Sequence, residues 1–193
     1  MKLKYLFLFV VIALWGCDEG QKSEPIRTGI YFDLVELLDQ QAELLAKEKP
    51  SFTKMLTVNG ETETISIELD SASQWKAQLA LFYQADINKL GLETAYVTEE
   101  FPLGENQKKI IDEAKGQKAT VRLIEYNYLN EQLTNIRILS RENNTVYEFD
   151  KELNLNFSFD AGMNRISSFS IIGNQDMLLK SDLSYSLKAV IGN

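Results

Sequence analysis

Leu153-Asn154-Leu155-Asn156-Phe157-Ser158-Phe159 alternates apolar and polar side chains without a break. Successive side chains of an extended strand point to opposite faces, so this run puts Leu153, Leu155, Phe157 and Phe159 on one side and Asn154, Asn156 and Ser158 on the other. The same period returns near the C-terminus in Leu183, Tyr185, Leu187, Ala189 and Ile191. Strands with one apolar and one polar face fit an antiparallel sheet covered on one side. The rest of the chain must then supply the cover.

Working outward from that run, period-two patterning predicts strands over about 93–100, 118–127, 132–141, 145–150, 153–160, 165–173 and 182–191. Turn signals at Asn130-Glu131, Asn143-Asn144 and Ala161-Gly162-Met163-Asn164 separate several of them. The polar stretch between Glu105 and Gly116 reads as a helical turn or a loop. Further upstream, Asn59-Gly60 joins Phe52–Val58 to Glu61–Leu69. Asn-Gly accepts the positive φ that a two-residue hairpin turn demands at both positions, so a β-hairpin is expected here. In its register Phe52, Leu56 and Val58 share a face with Ile65 and Ile67, and the Thr and Ser residues face the other way.

Two helical patterns bracket the hairpin. Tyr31, Val35, Leu38, Ala42 and Leu45 form one stripe, widened by Leu34, Leu37 and Leu44, with Thr28 available as a cap and Pro50 as a stop. Ser71-Ala72-Ser73-Gln74 reads as a capping box opening a second helix with Trp75, Leu79, Phe82 and Leu90 on its stripe and Gly91 at its end. The expected fold is therefore α+β: a curved, mostly antiparallel sheet of about eight strands with two amphipathic helices packed on one face.

The first residues have a different character. Lys2 and Lys4 precede eleven uninterrupted apolar residues, Tyr5 to Trp15. That length suits the apolar region of a secretory signal and falls short of the roughly 17 to 25 residues needed to span a bilayer. Leu14-Trp15-Gly16-Cys17 resembles the lipobox of bacterial lipoproteins, a Leu, a variable position, a small residue and then the modified cysteine. Trp15 departs from the small or aliphatic residue usual there. The resemblance implies cleavage between Gly16 and Cys17, a diacylglycerol on the Cys17 thiol and a membrane partner reached through that lipid. Two or three acyl chains give stable anchoring where one is marginal. The acidic pair Asp18-Glu19 resembles an export signal of Bacteroidota lipoproteins, which implies the outer membrane; in enterobacteria Asp at that position resembles an inner-membrane retention signal. The expected organisation is a signal peptide over 1–16, a polar tether over 17–26 and one domain over 27–193.

Composition narrows the chemistry. Without the leader the chain carries 18 Lys+Arg against 28 Asp+Glu, a net charge of −10. Nucleic acids repel such a surface, since binding them needs clustered cations. The chain has one cysteine and no histidine. Ser-His and Cys-His nucleophile systems and most zinc sites are thereby excluded. Neighbours such as Glu99-Glu100 and Asp112-Glu113 point apart on a strand or helix, so neither pair makes a two-carboxylate site; both read as solvated. Asp150, Glu152 and Asn154, like Asp160, Gly162 and Asn164, have the alternate spacing of oxygen ligands but lack the rest of a calcium loop and read as turn residues. No metal and no cofactor is expected.

The remaining candidates are aromatic. Phe157, Phe159, Phe169 and Tyr185 fall on alternating strands, with Tyr126 and Tyr128 near a turn, and such rings either line an apolar cavity or form ordinary sheet core. Three functional expectations follow. The first is a non-catalytic envelope lipoprotein that binds a ligand or an envelope protein. The second is a carrier of lipid or another apolar molecule in a cavity between helices and sheet. The third is a hydrolase acting through paired acids.

Overall fold

The computed structural model describes residues 27–143, 145, 147–160, 162–177 and 183–192. Gly16, Cys17 and the expected leader and tether lie outside them. In chain order the elements are α1 (Leu34–Glu48), β1 (Phe52–Val58), β2 (Glu61–Ile67), α2 (Ala72–Gln78), α3 (Ala80–Gln84), β3 (Tyr96–Pro102), β4 (Gln107–Ala114), β5 (Val121–Leu129), β6 (Gln132–Asn143), β7 (Tyr147–Asp160), β8 (Met163–Met177) and β9 (Leu183–Ile191). The strands form one nine-stranded sheet ordered β2-β1-β9-β8-β7-β6-β5-β4-β3, and every pairing in it is antiparallel. The N-terminal hairpin thus joins the C-terminal strand, and β2 and β3 are the two edges. No helix among the described residues is long and apolar enough to cross a membrane.

The hairpin forms in the expected register, with Phe52 opposite Ile67 and Val58 opposite Glu61. Its turn residues have φ of 48° at Asn59 and 92° at Gly60, the left-handed backbone that selects Asn-Gly. Helix α1 buries Leu34, Leu38, Ala42 and Leu45 at spacings of four, four and three, which places them on one face. Asp33, rather than Thr28, caps it: the Asp33 side chain accepts from the Glu36 amide at 2.8 Å.

The second helical pattern does not form one helix. Helix α2 stops at Gln78, Leu79 leaves helical geometry, and α3 is a separate short turn. Beyond it Ala85, Asp86, Ile87 and Asn88 are all buried in succession. A surface helix cannot bury four consecutive residues, because they face all round its axis. The chain therefore abandons the helix and dives inward. Leu90 ends up 69% exposed, and Gly91, at φ 89°, serves the turn that follows.

Two further differences concern the sheet. The stretch expected to be a helical turn or a loop is β4, whose outer residues Gln107, Lys109, Ile111 and Glu113 and inner residues Lys108, Ile110, Asp112 and Ala114 mix polarity on both faces. Without alternation it carried no strand signal. Conversely, the turn expected after Asp150 does not exist, and 147–160 is one continuous strand. Lys151 interrupts its inner apolar row, so that the alternation alone reads as two strands where there is one.

The core consists of inner-face side chains meeting the helices. Phe52 packs edge-on against Trp75 at 5.1 Å between centroids, and Phe82 meets Phe169 in the same way at 5.8 Å. Gln41, buried on α1, donates to the Asn164 carbonyl at 2.9 Å and accepts from the Ile166 amide at 2.8 Å. These bonds satisfy backbone groups beside the register shift between β7 and β8. Asn88, fully buried, likewise pins the N-terminal segment: it accepts from the Tyr31 amide and donates to the carbonyls of Tyr31 and Phe32. Both side chains replace missing ladder partners, which is what makes a buried amide tolerable.

Candidate functional site

The cross-strand register assembles a row of inner-face residues near one end of the sheet. Val58 lies opposite Tyr185, Tyr185 opposite Gly173, Gly173 opposite Lys151, and Lys151 opposite Ser140. The neighbouring rows add Leu56 beside Leu187, and Phe149 opposite Glu142. Leu56, Val58 and Ile65 remain 40%, 36% and 43% exposed although they point to the face that elsewhere forms the core. The inner face therefore ends in a corner open to solvent, where these apolar side chains alternate with Lys54, Glu61 and Glu63.

Gly173 shapes this corner. A Cβ there would sit 2.3 Å from Cε1 of Tyr185, so the missing side chain lets the tyrosine ring lie down on β8. The ring also meets Phe149 at 6.1 Å. Burial, followed by the nearby Glu142 charge, raises the Tyr185 pKa above the ordinary tyrosine value. Lys151 borders the corner as an ion pair turned inward: its Nζ is 2.7 Å from Glu142 Oε1 and 4.7 Å from the Phe149 ring centre, with 12% of the side chain exposed. Between α3 and the sheet a crevice of about 40 Å³ opens among Leu81, Ala85, Val121, Ser140, Lys151 and Leu153. That space is on the scale of a water molecule.

The sequence-derived aromatic set is spread along the sheet. Phe169 is core, packed between the rings of Phe52 and Phe82. Phe157 is half-buried and Phe159 is 52% exposed. Phe159 is eight residues along β7 from Lys151, the neighbour of the Tyr185 row, which at strand rise is about 26 Å. Of the four, only Tyr185 reaches the open corner. Phe149, Lys151 and Glu142 went unseen because no sequence pattern places a lysine and a glutamate on an inner sheet face.

Asp150, Glu152, Asp33 and Asp86 are committed to structural partners. Glu152 forms a two-bond pair with Arg137 at 3.0 Å each, which holds its pKa below the usual carboxylate value, and Asp150 pairs likewise with Arg141. These two lie within β7 on the outer face; they are not turn residues. Asn164 donates to the Leu133 carbonyl at 2.7 Å. Asp33 and Asp86 both meet Arg27. Among the described residues no three acidic or cysteine side chains converge as metal ligands.

Asp112 is the exception to the solvated reading of the acidic pairs. It is 1% exposed on β4, and Thr98 Oγ1 donates to it at 2.5 Å. Burial raises its pKa, opposed by the hydroxyls of Thr98 and Tyr126. The Tyr126 hydroxyl is buried near this carboxyl without a hydrogen bond of full geometry. Glu113, its neighbour, is exposed on the other face, as strand alternation requires.

On the outer face a row of polar side chains is mutually paired: Asn127 donates to Asn135, Asn135 to Asn156 and Asn156 to Ser168, at 3.2, 3.0 and 3.1 Å, across four adjacent strands. No family model matches the chain, and neither curated proteins nor solved structures show a match to it.

Proposed function

We propose that the chain is a lipid-anchored, non-catalytic binding module of a bacterial envelope, tethered through Cys17 and binding an apolar ligand or an apolar segment of an envelope protein at the open corner of its sheet. In this reading the helices cover the inner face of the sheet except at the corner formed by Leu56, Val58, Ile65, Phe149, Tyr185 and Leu187. The observation that carries it is the exposure of Leu56, Val58 and Ile65 on a face whose other aliphatic residues are core. Clustered exposed apolar groups of this kind mark interaction sites in soluble domains. A non-catalytic role is supported by the lack of histidine and by carboxylates already held in ion pairs. The carrier reading, which requires an enclosed apolar cavity of several hundred Å³, has weaker support, because the crevice between α3 and the sheet measures about 40 Å³ and the hollow of about 630 Å³ beside β1 and β2 is lined mostly by polar residues such as Lys49, Ser51, Ser66, Glu68 and Asp70.

The test uses Nile red, a neutral apolar dye. Fluorescence enhancement by the wild-type chain should fall several-fold in Leu56→Glu and Ile65→Glu variants that keep wild-type circular dichroism. Equal enhancement in all three proteins sinks the corner as a binding site. Anchoring is tested separately by fatty-acid labelling in cells, which Cys17→Ala should abolish; labelling that persists contradicts the anchor.

A further inference from the structure

The two edges of the sheet differ in what they offer a partner strand. On β3 the residues paired through hydrogen bonds with β4 are fixed by two contacts at its ends, the Lys115 amide on the Ala95 carbonyl and the Leu103 amide on the Gln107 carbonyl. Because hydrogen-bonded pairs alternate along an antiparallel ladder, the outward backbone groups of β3 belong to Tyr96, Thr98, Glu100 and Pro102. The Tyr96 amide already donates to the Tyr31 hydroxyl at 3.3 Å, and Pro102 has no N–H to give. This edge is blocked at both ends.

The β2 edge is open. The Asn59 amide donates to the Ser184 carbonyl of β9, so the odd-numbered residues of β1 face β9 and the even-numbered ones face β2. Through the β1–β2 register, Glu61, Glu63, Ile65 and Ile67 turn their backbone groups inward, and Thr62, Thr64 and Ser66 turn theirs out. Among the described residues no strand lies beside them.

We propose that β2 pairs antiparallel with β2 of a second copy of this chain, on a two-fold axis through Thr64. That register sets Thr64 opposite Thr64, Thr62 opposite Ser66, Glu63 opposite Ile65 and Glu61 opposite Ile67. The outward N–H and C=O groups of Thr62, Thr64 and Ser66 in each copy meet as three hydrogen-bonded pairs, since the alternation on both strands is in phase. Like charges are not placed directly opposite, whereas a register centred on Glu63 sets two carboxylates face to face, a destabilising arrangement. On the outer face the Thr62–Ser66 and Thr64–Thr64 neighbours repeat the hydroxyl pairing that β1 and β2 already show, Thr53 with Ser66 at 3.1 Å and Thr57 with Thr62 at 2.9 Å. On the inner face the partner strand covers Ile65, one of the exposed apolar residues, and brings the two open corners together. The second copy fits this edge in backbone phase and hydroxyl pattern, with no carboxylate directly opposite another.

Sedimentation velocity on the full chain checks this directly. At about 100 µM, a concentration suited to a small interface, the wild type should sediment as a dimer, and salt should strengthen association by screening the acidic copies. Thr64→Pro removes one outward N–H at an edge position that tolerates proline, and Thr64→Lys places two cations opposite each other. Both variants should be monomeric with unchanged circular dichroism. In the wild type, hydrogen exchange at the Thr62, Thr64 and Ser66 amides should slow at least tenfold on going from dilute to concentrated protein. A monomeric wild type, a dimer that survives both substitutions, or concentration-independent exchange at these amides overturns the proposal.

Discussion

The hairpin end of the sheet and its β3–β4 end are built from opposite materials. At the hairpin end, β1 and β2 alternate, turn on Asn59-Gly60 and leave Leu56, Val58 and Ile65 partly in water. At the other end β4 has no alternation, yet it buries Asp112 to 1% exposure beneath a well-filled region where Tyr31 meets Tyr96 and Phe32 meets Tyr126. A locally coded strand can afford open surface because its register comes from its own turn, whereas a strand without local pattern must be held by what packs on it.

Three measurements sharpen or break that contrast. The largest effect is expected where the hairpin is tied to the core: Trp75→Ala removes the ring packed on Phe52 and should cost about 3–5 kcal/mol in urea denaturation. A loss below about 1 kcal/mol would mean that the hairpin end does not depend on this contact.

A smaller effect of opposite sign is expected at Asp112. Its pKa is raised in the folded protein, so its contribution to stability is fully present below the unfolded carboxylate pKa and is lost as pH rises through the raised folded value. Asp33, Asp39 and Glu152, whose pKa values are lowered, act the other way and lose their contribution as pH falls through those lowered values. Asp112→Asn should therefore stabilise the protein at pH 7 by on the order of 1 kcal/mol and show no gain at pH 3. Thermal melts of both proteins across pH 3 to 8 read the difference, and a variant equally destabilised at every pH contradicts it.

The smallest effect belongs to the open corner. Ile65→Ala should change stability by less than about 0.5 kcal/mol when measured on dilute protein. A loss of several kcal/mol would show that Ile65 is core and that the corner is not free to bind.

The legibility of the fold follows the same division. Leu153 to Phe159, the Asn59-Gly60 hairpin and the stripe of α1 were readable because alternation, turn chemistry and helical spacing are local properties. The second helix was misread because Trp75, Leu79, Phe82 and Leu90 keep a helical spacing that the chain abandons once Ala85 to Asn88 must all be buried. Strand β4 was missed because Asp112 and Lys108 sit on its inner face. At the candidate site the apolar face of the hairpin was legible and Tyr185 was named, but Phe149, Lys151 and Glu142 join it only through strand pairing.

Composition and local pattern alone determined that this is an acidic, histidine-free chain with a sheet of one-sided strands and a hairpin between helical segments. Tertiary structure alone decided that the hairpin adds to the C-terminal strand, that Asp112 is buried and that one corner of the inner face stays open. The physical reason is range: side-chain periodicity and turn dihedrals are set within a few residues. The joining of the hairpin to the C-terminal strand is set by contacts between residues more than a hundred positions apart, as where Phe52 lies opposite Ile191.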